Sequence, residues 1–211
     1  MEKARSYIAE FIGTFFLVFT VGVAAVLGNA GAFAPLAIGS VLMVMIYAMG
    51  HVSGGHFNPA VTVGVWLRGK LPVTDVVPYI FSQSAGAVVA ALAVKCFAKP
   101  GQIEVATFQA HPALLAEFLF TFALVFVVLN VATAKAAAGN SYFGLAIGFT
   151  VLVGAFTVGG ISGGAFNPAV VVGLITMGKL AASCSWIHLV GDFAGGVVAA
   201  IAFKVIHPPG E

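Results

Sequence analysis

Two nearly identical stretches, SGGHFNPAVTVG at positions 53–64 and SGGAFNPAVVVG at positions 162–173, decide how this chain folds. Each places a pair of adjacent glycines, an asparagine and a proline inside an otherwise apolar part of the sequence. Glycine and proline break helices, so neither stretch is the interior of a long helix. Asparagine is a preferred residue immediately before a helix, and proline suits its first position. Each stretch therefore predicts a new, short helix that begins at its asparagine.

The composition is that of a membrane protein. Of the 211 residues, 61% are hydrophobic and 8% are charged, whereas a soluble domain carries roughly 25% charged residues. Several apolar segments reach the ~20 residues that a helix needs to cross a bilayer. The first could be interpreted as a signal peptide because Lys3 and Arg5 precede it, but its apolar run is too long. The net charge of +2 indicates no nucleic-acid partner.

The chain repeats itself at an offset of 109 residues. Residues 50–71 and 159–180 are identical at 14 of 22 positions, which chance does not produce. We therefore predict one membrane domain over 1–211, built from a first repeat at about 1–105 and a second at about 106–211. Further matches pair 35–39 with 144–148, 85–95 with 194–204 and, with a slip of two residues, the segments that begin at Glu10 and Glu117.

Three full crossings per repeat, an odd number, turn the second repeat upside down relative to the first. The short helices predicted over 58–67 and 167–177 extend about 15 Å, half a bilayer, so each enters and returns on the same side. The fold class is thus all-α membrane protein, with six transmembrane helices plus two re-entrant half-helices. The predicted spans are about 6–28, 34–50, 75–97, 112–133, 142–159 and 185–206.

The two re-entrant segments predict a shared pore or cavity. Irregular backbone at mid-membrane depth is tolerated only where protein buries it or water reaches it. Each half-helix points its N-terminus, which carries roughly +0.5 elementary charge, at the midplane. Two facing positive ends repel cations and protons but leave neutral molecules unaffected.

With its two inverted copies of GGHFNPAV and GGAFNPAV, the whole chain resembles the aquaporin and glycerol-facilitator (major intrinsic protein) family. The resemblance implies a passive channel with one pore per subunit, a homotetramer in the lipid bilayer, and no cofactor. No cluster of catalytic or metal-ligating residues gathers on any segment, so the sequence does not predict an enzyme. The pore motifs implied by the family are Asn58, Pro59, Ala60, Asn167, Pro168 and Ala169.

The chain departs from the family at the filter near the outer mouth. The family usually has arginine three positions after the second asparagine, and here that residue is Val170. Counted without gaps, the other three filter positions fall on Ile38, Ala155 and Gly164. These four residues predict a wide, apolar mouth that passes water, glycerol-sized polyols and, as in relatives without the arginine, metalloid hydroxides or methylated arsenicals. The alternative is a strict water channel in which another side chain fills the gap.

Five polar residues within apolar segments have open roles. Glu10 and Glu117 either accept hydrogen bonds from the re-entrant loops or form a proton relay. His56 resembles the family's loop histidine, and it either lines the pore or bonds to Glu10. His188 and Asp192 lie four residues apart on one helical face, as a structural pair or as pore residues. Asp192 stands where the family often has proline.

The distribution of lysine and arginine favours a cytoplasmic N-terminus. Six crossings then place the C-terminus in the cytoplasm as well, and the expected location is the cell membrane. Six basic residues then fall inside and three outside. A gradient-coupled secondary transporter is a rival function, because inverted repeats and buried carboxylates occur there too. A non-conducting scaffold is another. The inside set is Lys3, Arg5, Arg68, Lys70, Lys135 and Lys204, and the outside set is Lys95, Lys99 and Lys179.

Overall fold

The computed structural model describes residues 2–207, and Met1 and residues 208–211 lie outside the described part. Within that part, six helices are long and apolar enough to cross a membrane. Two shorter apolar helices follow the second and the fifth of them. The predicted six spans and two half-helices are confirmed. In chain order the helices are α1 (Glu2–Thr20), α2 (Ala34–Ser53), α3 (Pro59–Leu67), α4 (Val73–Phe97), α5 (Ala110–Thr133), α6 (Phe143–Ser162), α7 (Pro168–Met177) and α8 (Ser185–Ile206).

The helices before the two breaks, α2 and α6, each end three residues later than predicted. They end at Ser53 and Ser162, because the glycine that follows each one adopts a left-handed conformation. Gly54 has a φ of 90° and Gly163 a φ of 89°, and glycine is the residue that tolerates such angles at a helix C-terminus. The glycine pair rather than the preceding sequence therefore sets the end of each helix.

The first span changes its helical period near its end. α1 continues into a π-helical segment, Val21–Val26, in which the amide of Leu27 donates to the carbonyl of Gly22, five residues earlier. A Cβ atom on Gly22 would lie 2.4 Å from a methyl carbon of Val94 in α4. The segment is thus packed closely against a neighbouring helix. Periodicity in the sequence gave no indication of this wider turn.

Equivalent glycines of the two repeats form a close helix crossing. α2 and α6 cross at Gly39 and Gly148, where a Cβ on Gly39 would lie 2.7 Å from the carbonyl oxygen of Gly148. The reverse distance, from a Cβ on Gly148 to the carbonyl oxygen of Gly39, is 2.5 Å. Small residues permit such contact between membrane helices, whose association depends on close packing. The reciprocal contact places α2 and α6 around the pseudo-twofold axis of the inverted repeats.

Each half-helix packs against the opposite repeat. α3 lies against α8 and α5, and α7 lies against α4 and α1. Gly64 of α3 packs against Val125, and Gly173 of α7 packs against Val18. In each case a Cβ on the glycine would lie 2.5 Å from a methyl carbon of the valine. The two repeats are therefore interlocked, and both half-helix N-termini reach the centre of the molecule.

Candidate pore and its supporting network

The N-terminus of each half-helix is capped by its asparagine. The Oδ1 atom of Asn58 accepts a hydrogen bond from the amide of Ala60 at 2.8 Å. In the second repeat, Oδ1 of Asn167 accepts from the amide of Ala169 at 2.9 Å. Pro59 and Pro168 occupy the first helical position, where no amide hydrogen is required. The predicted capping role of both asparagines is thus present in the geometry.

The two asparagines also join the two loops to each other. Nδ2 of Asn58 donates to the carbonyl of Phe166 at 2.8 Å, and Nδ2 of Asn167 donates to the carbonyl of Phe57 at 2.9 Å. Both phenylalanines are buried and have a φ of 48°, an uncommon angle for a residue with a side chain. An asparagine amide carries two N–H groups, so each one retains a second donor at the centre of the molecule.

Glu10, on α1, holds the first loop. Its side chain is fully buried and accepts four hydrogen bonds. Oε1 accepts from the Ser53 hydroxyl at 2.7 Å and the His56 amide at 3.0 Å. Oε2 accepts from the Phe57 amide at 2.7 Å and from Nε2 of Gln83 at 2.8 Å. Of the two roles predicted for this residue, the geometry matches loop support.

Glu117, on α5, does the same for the second loop with fewer partners. It accepts from the amides of Ala165 at 3.1 Å and Phe166 at 2.7 Å. Asp192 replaces Gln83 at the equivalent position, and its carboxyl group interacts with that of Glu117. Oδ1 of Asp192 accepts from the Thr121 hydroxyl at 2.9 Å, whereas Oδ2 has no hydrogen-bond partner among the described residues.

His188 and Asp192 are both buried in the protein rather than in the pore. Nε2 of His188 lies 2.8 Å from the carbonyl oxygen of Ser162 and 4.0 Å from Oε1 of Glu117. Across residues 2–207, no hydrogen bond joins His188 to Asp192. A structural role for both residues therefore matches the geometry, but the predicted pairing of the two side chains does not, because each bonds to its own partners.

Three cavities lie in series through the centre of the molecule. The central cavity, of about 30 Å³, is lined by Asn58, Asn167 and surrounding apolar side chains. A cavity of about 260 Å³ beside Phe108, the Phe108 chamber, adjoins it on one side. A cavity of about 380 Å³ beside Lys70, the Lys70 chamber, adjoins it on the other. A water molecule needs roughly 10–15 Å³, so the central cavity holds about two waters in file.

The central cavity meets the Lys70 chamber at His56 and Val128, which border both. The His56 ring is held by its Nδ1 atom, 3.1 Å from the Thr62 hydroxyl, while its backbone amide donates to Glu10. The two interpretations of His56 are therefore compatible: the side chain faces the cavity and the backbone bonds to Glu10.

The central cavity meets the Phe108 chamber at four residues that border both cavities. Three of them, Ile38, Gly164 and Val170, are predicted filter positions. The fourth is Val21, which the sequence did not indicate. The remaining predicted position, Ala155, lines the Phe108 chamber alone. All four junction residues are apolar or glycine, so the predicted apolar character fits, but the wide space lies in the chamber beyond them.

This geometry can be compared with known proteins. The sequence profile of the family described as major intrinsic protein matches residues 1–208. The chain belongs to the major intrinsic protein family. This major intrinsic protein is 35% identical to the glycerol uptake facilitator protein-like 6 of Lactiplantibacillus plantarum, over 96% of this chain and 98% of that one. It is 39% identical to aquaporin NIP1-3 of Oryza sativa subsp. japonica, over 98% of this chain and 75% of the relative.

Among solved structures, this major intrinsic protein resembles the aquaglyceroporin from Plasmodium falciparum. The TM-score is 0.83 at 26% sequence identity, with 98% of each chain covered. Members of the family are channels, not enzymes, so the protein is an integral, multi-pass membrane channel for small neutral solutes. The residues that sequence reasoning missed are Val21, Val128 and Phe108. Phe108 lies in a loop without an equivalent in the first repeat, and no motif marks the other two.

Proposed function

We propose that this protein is a passive channel for uncharged solutes up to about the size of glycerol. Its cargo includes water, glycerol-sized polyols and undissociated metalloid hydroxides or methylated arsenicals. The observation that carries the proposal is the row of three cavities, whose central part is lined by Asn58 and Asn167 and whose junction with the Phe108 chamber has no charged side chain. Asn58, Pro59, Ala60, Asn167, Pro168 and Ala169 are the pore motifs of this proposal.

Electrostatics support selection for neutral cargo. The N-termini of α3 and α7 both point at the central cavity, and each carries roughly +0.5 elementary charge. A cation would meet both positive ends in a cavity with room for about two waters. A neutral hydroxyl compound can instead accept hydrogen bonds from the remaining amide N–H of each asparagine. Exclusion of cations thus rests on the half-helices.

The apolar junction supports a size cutoff for solutes that is larger than a water molecule. Arginine at position 170 would add a long charged side chain where the protein has a buried valine, 4% exposed. Ile38, Gly164 and Val170 present no long or charged side chain at the junction. Two of the similar proteins have names that refer to glycerol, the glycerol uptake facilitator protein-like 6 and the aquaglyceroporin. The runner-up, a strict water channel, requires a tighter junction.

We further propose that the Lys70 chamber faces the cytoplasm and the Phe108 chamber faces outside. Lys70 and Lys135 border one cavity of about 520 Å³ beside the Lys70 chamber. This agrees with the sequence analysis, which places both lysines on the cytoplasmic side of the membrane. In this orientation both termini are cytoplasmic in the cell membrane. The homotetramer and the division of the domain into repeats at about 1–105 and 106–211 belong to the same proposal.

The test is solute flux in proteoliposomes that contain the wild type or Val170→Arg. We expect the wild type to pass water, urea, glycerol and arsenite, independently of a proton or sodium gradient. Val170→Arg should reduce the glycerol rate at least tenfold, equivalent to about 1.4 kcal/mol at the barrier. Val105→Arg, at an exposed loop residue, is the matched control and should behave like the wild type.

Two outcomes would overturn the proposal. If the wild type and Val170→Arg both pass water alone, the protein is a strict water channel. If glycerol or arsenite flux requires an ion gradient, the secondary transporter is correct, since a passive pore responds only to the solute's own gradient.

A further inference from the structure

The pore-facing side of the first span passes through Val21. Leu17, one α-helical turn earlier, lines the central cavity alone. Ala25 and Val26, after Val21, line the Phe108 chamber alone. Val21 borders both cavities. The side chain of Val21 therefore lies at the level where the chamber narrows into the central cavity.

The π-helical turn and its packing hold Val21 in this place. Two residues of the segment face the chamber, Ala25 at the α-helical spacing from Val21 and Val26 at the π-helical spacing. On the opposite side, Gly22 sits against Val94 and Met177, with a Cβ position 2.4 Å and 2.9 Å from their carbons. A rotation of the segment would press its backbone onto these neighbours. π-helical turns occur frequently at functional sites, where they redirect a side chain.

Val21 also occupies the part of the junction that the predicted filter position Ala155 does not reach. Ala155, the fourth predicted position, does not border the central cavity, so the junction is formed by Val21, Ile38, Gly164 and Val170. Gly164 has a φ of 63° and contributes no side chain. The width of the junction is consequently set by three branched apolar side chains, and branched residues such as valine are stiff about χ1.

We propose that Val21 is a specificity-determining residue of this channel, which fixes the size cutoff for neutral solutes together with Ile38 and Val170. The inference rests on the proposed function, because it names a further residue of the same pore. It assigns to the first span a part of the filter that no pore motif of the sequence marks.

The test compares Val21→Phe and Val21→Ala with Val23→Phe in proteoliposomes. Val23 belongs to the same π-helical segment but borders neither cavity, so it controls for a bulky substitution there. We expect Val21→Phe to lower the glycerol rate at least tenfold and the water rate less. Val21→Ala should raise the rates for glycerol and larger polyols at least twofold. Val23→Phe should match the wild type.

A second readout does not require a bulky variant to fold. Cys96 and Cys184 are free thiols, so both are first replaced by serine. Val21→Cys in that background should lose at least 80% of its water flux when a charged methanethiosulfonate reagent is added, because the adduct fills the junction. Val23→Cys should keep its flux under the same treatment.

The outcomes separate this inference from the proposed function. If Val170→Arg blocks glycerol while all Val21 variants match their Val23 controls, the inference is wrong and the proposed function stands. If the wild type passes only water and Val21→Cys is still blocked by the reagent, Val21 lines the pore and the proposed solute range is wrong.

Discussion

Replacement of Glu10 by glutamine tests whether this buried carboxyl group is the support of the first loop. Its two oxygens each accept one backbone amide and one side-chain donor. Glutamine offers one oxygen and one NH2 group, so one backbone amide, that of His56 or Phe57, loses its acceptor. An unpaired buried donor costs about 1–3 kcal/mol and a second lost hydrogen bond about 1 kcal/mol, in total about 2–4 kcal/mol.

For a chain of this size, 1 kcal/mol shifts the midpoint of thermal unfolding by about 2–4 °C, so Glu10→Gln should lower it by about 4–16 °C. The assay is the loss of monodisperse protein on heating in detergent. Glu104→Gln, at an exposed loop residue, is the control and should shift the midpoint by less than 2 °C. Glu117→Gln should lower the midpoint by less than Glu10→Gln, because the described residues donate two hydrogen bonds to Glu117 and four to Glu10.

A Glu10→Gln protein as stable as the Glu104→Gln control would refute this reasoning. The hydrogen bonds would then contribute nothing to the fold. If the same variant lost a proton-dependent flux while its stability was unchanged, the proton relay would be the correct role of Glu10.

Two further predictions concern packing and the second loop. Gly39→Val should lower the unfolding midpoint by about 2–12 °C, because its Cβ would meet the carbonyl of Gly148 at 2.7 Å, and overpacking costs about 1–3 kcal/mol. Gly160→Val, within α6 and with nothing within 4 Å of its Cβ, is the matched control and should not lower the midpoint. Asp192→Asn should raise the midpoint by about 1–6 °C, because the new amide can donate to Glu117 and a hydrogen bond contributes about 0.5–1.5 kcal/mol. An unchanged midpoint for Gly39→Val, or a lowered one for Asp192→Asn, would contradict these expectations.

The fold was predictable because the repeat and the breaks are strong local signals. Gly54, Gly163 and the two asparagine–proline pairs determine where helices end and begin, whatever surrounds them. The ends of α2 and α6 were misplaced by three residues because periodicity alone does not say which glycine becomes left-handed. The π-helical turn at Val21–Val26 was missed because it depends on how Gly22 packs against Val94, a contact distant in sequence.

The candidate site was predictable where it follows a motif and not where it follows from packing. The gap-free count places Ile38, Gly164 and Val170 at one junction, as the structure does. It also includes Ala155, which lines only the Phe108 chamber. No count could find Val21, since its position at the junction results from the rotation of the first span against its neighbours.

The two ends of the central cavity derive from the same repeat unit but differ in their side chains. In the first repeat the His56 ring faces the cavity, and the Thr62 hydroxyl lies 3.1 Å from its Nδ1 atom and accepts from Gln83 at 2.9 Å. In the second repeat the equivalents of His56 and Thr62 are Ala165 and Val171. The Thr62 hydroxyl also donates to the carbonyl of Asn58 at 3.0 Å, so its single proton is engaged and it accepts from Nδ1 of His56. The second repeat lacks both the ring and the hydroxyl that accepts from it, which leaves the end towards the Phe108 chamber apolar. On the proposed function, side-chain size rather than hydrogen bonding therefore selects the solute at that end.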